Sequence, residues 1–104
     1  MLFDQMTKIK DRVRYLLEQY PALRDDDTRL YATYLSFQLG GKQQLVDMSG
    51  YDLLTKIANG DLTHFESVRR VRTKLQEQDE TLRGEKYAER HRQADVTRNQ
   101  IKDL

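Results

Sequence analysis

Apolar residues recur at spacings of three and four along most of this chain. Phe3, Met6, Ile9, Val13, Leu16, Leu17 and Tyr20 form the first such series, which sets them on one face of a helix. The pattern predicts an amphipathic helix over residues 4–19, with Asp4 in its first turn and Lys8, Lys10, Arg12 and Arg14 largely off the apolar stripe. Pro21 ends it, because proline restricts Tyr20 and carries no amide proton. A second helix is expected from Arg24-Asp25-Asp26-Asp27 to about Leu39. Asp25 or Asp26 serves as its N-cap, and the other aspartates add favourable first-turn charge. Leu30, Tyr31, Tyr34, Leu35 and Gln38 mark its inner face, and Gly40-Gly41 closes it. Residues 42–50 fit either a short helical turn or a brief extended piece around Leu45, Val46 and Met48. Ser49 then caps a short helix, Tyr51–Ala58, expected to bury Tyr51, Leu54 and Ile57 and to stop at Asn59-Gly60.

Thr63-His64-Phe65-Glu66 has the form of a capping box and opens a helix over residues 64–78. Phe65, Val68, Val71 and Leu75 make its stripe, while Arg70, Thr73 and Glu77 point nearly opposite. Arg69 and Lys74 flank that outer face, and the stem of Arg72 covers the edge of the core. Asp79–Gly84 reads as a connector. A last helix, Glu85–Lys102, offers only a thin inner strip: Tyr87, His91, Ala94, Ile101 and the stem of Arg98. It packs back, projects, or meets a partner. No segment shows a period of two, so the expected fold is all-α. The architecture is a compact bundle of four to five helices with a helix-turn-helix-like centre. Residues 1–84 form the core domain and residues 85–104 a polar C-terminal helix. The expected core comprises Phe3, Met6, Ile9, Val13, Leu16, Leu30, Tyr34, Leu54, Ile57, Phe65, Val68, Val71 and Leu75.

Composition narrows the function classes. The 104 residues suit one domain. The absence of cysteine excludes disulfides and thiolate metal sites. No apolar run approaches the ~20 residues of a membrane span. The opening MLFDQMTKIK lacks a signal-peptide pattern, so a cytoplasmic location is expected. Lys and Arg total 18 against 17 Asp and Glu, for a net charge of +1. That balance gives no strong long-range pull toward a polyanion. The local exception is VRRVRTKLQ at 68–76, with four positive charges and no acid.

Catalytic patterns do not emerge. His64 and His91 lie far apart, no carboxylate pair can be singled out, and neither GxSxG nor GxxxxGK[ST] occurs. Gly40-Gly41-Lys42 lacks the rest of a phosphate loop. Asp25–Asp27 lacks the ligand series of a calcium loop and is read as a cap. The expectation is a non-enzymatic protein with no cofactor and no metal. Two binding classes stay open. Tyr51–Gln76 has the order of a helix-turn-helix, in which Arg69, Arg70, Arg72 and Lys74 meet phosphates of double-stranded DNA, and Arg70 and Thr73 reach base edges. Amides at the Thr63 end add a phosphate contact. The alternative is a protein–protein module that modulates another protein through Tyr31, Phe37 or the last helix. Tyr87, Ala94 and Ile101 would form a contact strip, including one between two copies of the chain.

Two segments carry a resemblance. PALRDDDTRL at 21–30 and ESVRRVRTKLQE at 66–77 resemble paired blocks of small phage and prophage proteins of Gram-positive bacteria. There, P-x-x-R-x-x-D-x-x-L precedes a serine-led, arginine-rich R-x-x-K-x-Q-E block. Leu82-Arg83-Gly84 is similar to their continuation, and the likeness spans roughly residues 13–92. It implies a bacterial or phage cytoplasmic setting and a regulatory or replication-associated accessory role, with a host or phage protein as partner. It brings no catalytic residue, and its arginine block falls on Arg69, Arg70, Arg72 and Lys74.

Overall fold

A computed structural model describes Met6 and residues 8–88. Among the described residues five α-helices follow in order: α1 (Ile9–Gln19), α2 (Asp27–Gln38), α3 (Lys42–Val46), α4 (Gly50–Ala58) and α5 (Phe65–Gln78). Short 3₁₀ turns stand at Pro21–Asp25 and Glu80–Leu82. Among the described residues there is no strand, so the all-α expectation holds.

The local chemistry accounts for most boundaries. The Tyr20 amide closes α1 on the Leu16 carbonyl at 2.9 Å. Pro21, with φ preset and no donor to lose, starts the 3₁₀ turn. Asp26 is the N-cap of α2, its Oδ1 accepting the Arg29 amide at 3.0 Å. Residues 42–46 settle the ambiguity of that segment as a helical turn. Ser49 caps α4 as expected, accepting the Asp52 amide at 3.1 Å. Gly40 and Gly60, at φ +96° and +82°, supply the left-handed positions that end α2 and α4. α1 begins later than expected, since Lys8 is extended and makes no side-chain cap.

The start of α5 corrects the capping box. His64 is the N-cap, with Nδ1 accepting the Glu66 amide at 3.2 Å. Thr63 is instead tied to α2. Its amide donates to Gln38 Oε1 at 3.0 Å, its carbonyl accepts from the Tyr31 hydroxyl at 2.8 Å, and its hydroxyl donates to Tyr34 Oη at 3.2 Å. Gln38 Nε2 returns a bond to Thr63 Oγ1 at 3.1 Å. A Gln38→Ala change leaves the Thr63 amide without this partner. It is expected to cost about 1–2 kcal/mol, measured by urea unfolding, and to speed hydrogen exchange in α4 while leaving α1 protected.

The core lies between α1, α2 and α5, with α1 and α5 in the most extensive contact. Val13, Leu16 and Leu17 meet Leu30 and Tyr34 from α2, Val68 and Leu75 from α5, and Leu23 and Leu82 from the two 3₁₀ turns. Ile9 and Val71 pack at its edge; Met6, Ile57 and Phe65 are half-buried. Leu54 does not belong to it. It is 68% exposed, and Tyr51, also expected inside, is 79% exposed. The reason is position: α4 leaves the bundle beyond the end of α2, forms no extensive contact with another helix, and contributes no buried residue.

One polar cluster penetrates the bundle. Arg72 grips Asp27 with two parallel bonds, Nε to Oδ1 at 2.8 Å and Nη2 to Oδ2 at 2.7 Å. Its Nη1 donates to Gln76 Oε1 at 3.2 Å. Gln76, fully buried, donates in turn to the Arg24 and Leu82 carbonyls at 2.9 and 3.2 Å. Asp27, the third residue of the aspartate run and the first of α2, thus holds an ion pair rather than acting only on the helix dipole.

After α5, Asp79 caps the second 3₁₀ turn and bonds Arg14 at 3.1 Å. The Thr81 hydroxyl and amide, and then Arg14, hold its carboxyl below the ordinary 3.8. A depressed folded-state value means this contribution to stability is full above pH 3.8 and is lost as pH falls through the folded value. Carboxyl-carbon NMR across pH 2–6 is expected to place Asp79 below the unfolded peptide. Gly84 lies against Asp25, where a Cβ would collide with the carboxylate. Tyr87 is half-buried, with the Arg83 guanidinium 4.4 Å from its ring centroid. Phe3, His91, Ala94 and Ile101, and most of the expected helix Glu85–Lys102, lie outside the described residues.

Candidate functional site

The arginine-rich helix α5 sorts its charges by direction. Val68, Arg72, Leu75 and Gln76 face the interior. Arg70 and Lys74 project into solvent on the outer side, and Lys10 of α1 borders the same shallow hollow as Lys74 and Val71. Arg69 binds the Glu66 carboxylate, with Nε 3.0 and 3.2 Å from its two oxygens. That bond lowers the Glu66 pKa and raises that of Arg69. The Thr73 hydroxyl turns back to donate to the Arg69 carbonyl at 3.0 Å. Arg72 is 8% exposed, and its guanidinium is engaged by Asp27 and Gln76. Of the five residues expected at a nucleic acid, Arg70 and Lys74 present their charge outward without a salt bridge among the described residues.

The turn between α4 and α5 gives the expected order of a helix-turn-helix, but α4 does not brace α5 over an extensive surface. The Thr63 backbone is occupied by α2, and the first α5 amides are partly served by His64. A phosphate would compete with these partners.

A different surface stands out on α3 and α4. Val46, at the end of α3, is 63% exposed, and the next helix exposes Tyr51 and Leu54. On α4, Tyr51, Leu54 and Ala58 form one strip by their i, i+3, i+7 spacing, and Asp52, Thr55 and Asn59 form the adjoining strip. Leu53, Lys56 and Ile57 are half-buried toward the body. The second strip walls a cleft of about 740 Å³ floored by the half-buried Leu39 and Met48, with Asp47, Asp52, Asp61 and Lys56 at its sides. Asp47 accepts from Gln43 Nε2 at 2.8 Å.

The sequence carried a signal for this surface. Leu53 and Leu54 are adjacent, about 100° apart on a helix, so with Tyr51 and Ile57 the apolar face of this nine-residue helix is broader than the half-buried side that Leu53 and Ile57 turn to the body. No protein-family model, no curated protein and no solved structure matches this chain.

Proposed function

We propose that this protein is a non-enzymatic accessory module that acts by docking another protein on α4 and the end of α3. The observation that carries the proposal is the exposure of Tyr51 and Leu54 on α4, and of Val46 on α3 before it, on two short helices that add no residue to the buried core. Large apolar side chains grouped on a surface favour partner binding over solvation, and a tyrosine among them is a common anchor of such contacts. An accessory role of this kind agrees with the one implied by the resemblance to small phage and prophage proteins.

DNA binding is the second reading, favoured by the outward charges of Arg70 and Lys74. Pull-down from a bacterial lysate with and without nuclease separates the two, using wild type and a Tyr51→Ser/Leu54→Ser variant. A stoichiometric protein that survives nuclease and is lost with the variant supports the docking reading. Duplex DNA binding that weakens with salt and with Arg70→Ala/Lys74→Ala, while ignoring the α4 changes, replaces it with the DNA reading.

A further inference from the structure

The docking face is charged as well as apolar, and we infer that its occupant is a basic amphipathic helix of another protein. The inference rests on the docking reading above and specifies the partner's chemistry. Asp47, Asp52 and Asp61 border the cleft beside the apolar strip, with Lys56 the one cation among its lining residues. All three aspartates are exposed, and none forms a salt bridge among the described residues. A helix laid along α4 would set its apolar residues on Tyr51 and Leu54 and its lysines or arginines over the aspartates. Opposite charge at such a rim speeds encounter and rejects acidic competitors.

Size and symmetry argue against the other occupants. α4 has nine residues, or about 13 Å of helix. The exposed side chains of Val46, Tyr51 and Leu54 offer on the order of a few hundred Å², short of the ~800 Å² per partner of a stable globular interface. A single helix needs less. A second copy related by a two-fold axis would bring this face against itself, setting three aspartates and one lysine against the same excess of negative charge. Nucleic acid would meet the same carboxylates with like charge.

The test is selection from a displayed library of helix-forming 15-residue peptides with randomised surface positions. Wild type is the bait, and folded Tyr51→Ser/Leu54→Ser protein, checked by circular dichroism, is the counter-selection. The expected winners are net positive, carry large apolar residues at spacings of three and four, and bind wild type at least tenfold more tightly than the double variant. Asp47→Asn/Asp52→Asn/Asp61→Asn is expected to weaken them three- to tenfold and to flatten their salt dependence. Winners that need Tyr51 and Leu54 but are neutral or acidic, or ignore the aspartate changes, overturn the basic-helix inference and leave the docking face standing. Failure of every peptide to distinguish wild type from the double variant overturns both. Light scattering that shows a wild-type dimer abolished by the double variant assigns the face to a second copy and overturns the inference.

Discussion

Replacing Arg72 with alanine is expected to remove about 3–5 kcal/mol of folding stability. The side chain is about one-tenth exposed and that of its partner Asp27 about one-quarter. Deleting the guanidinium leaves a mostly enclosed carboxylate without its two charged donors and Gln76 Oε1 without its partner. The cost is set by what is stranded, more than by the worth of the pair itself. Arg72→Met combined with Asp27→Leu removes both charges and is therefore expected to cost less than Arg72→Ala alone. Urea unfolding of the two proteins, compared at equal slope, measures the difference. A domain of this size holds roughly 5–15 kcal/mol in all, so the single change brings it near its limit at physiological temperature. A loss under 1 kcal/mol would mean that water serves Asp27 as well as Arg72 does.

Leu75→Asp is expected to be at least as damaging, at about 4 kcal/mol or more. Leu75 is 1% exposed and belongs to the central cluster, so the new carboxylate is forced among apolar side chains, although Leu75 also reaches the inner wall of the hollow beside Lys10 and Lys74. Val71→Asp, one turn earlier on the same helix, is the informative control. Val71 is only half-buried and lines a hollow with Lys10 and Lys74. A carboxylate there reaches water and two ammonium groups, and about 1–2 kcal/mol is expected. Thermal and urea unfolding of both variants should separate them clearly. Equal losses would place Val71 as deep in the core as Leu75.

The contrast between these positions marks what the sequence could reveal. Periodicity identified the stripes of α1, α2 and α5, because each of those helices has one apolar face and partners on that face. It could not rank Val71 below Leu75, since both fall on the stripe and only the neighbouring helix decides how deeply each sits. The same limit applies to α4. Tyr51, Leu54 and Ile57 have helical spacing, yet spacing says nothing of whether a second element arrives to cover them. Caps were legible where the side chain acts within its own turn, as at Asp26 and Ser49. Thr63 was misread because its partners, Gln38, Tyr31 and Tyr34, are far away in sequence. Arg72 was placed correctly at the apolar edge, but its pairing with Asp27 across 45 positions leaves no local trace. The spacing therefore orders the arginine block by direction but not by pairing, and pairing is what separates Arg69 and Arg72 from Arg70 and Lys74.

The junction of Gln38 with Thr63 has a consequence for how this protein can change. Those residues stand at the departure and the return of segment 39–62, and four hydrogen bonds fasten the return to α2. Within this excursion α3 packs on α2, while α4 forms no extensive contact with another helix. Loops anchored at both ends accept new lengths and sequences at small entropic cost. Two constraints remain inside it: Leu62 must stay apolar because it is buried, and the glycines must keep the reversals at Gly40 and Gly60. Everything exposed between them is open to drift or to selection. The chain thus separates the helices that carry the buried core from α4, whose exposed positions can change with little effect on folding.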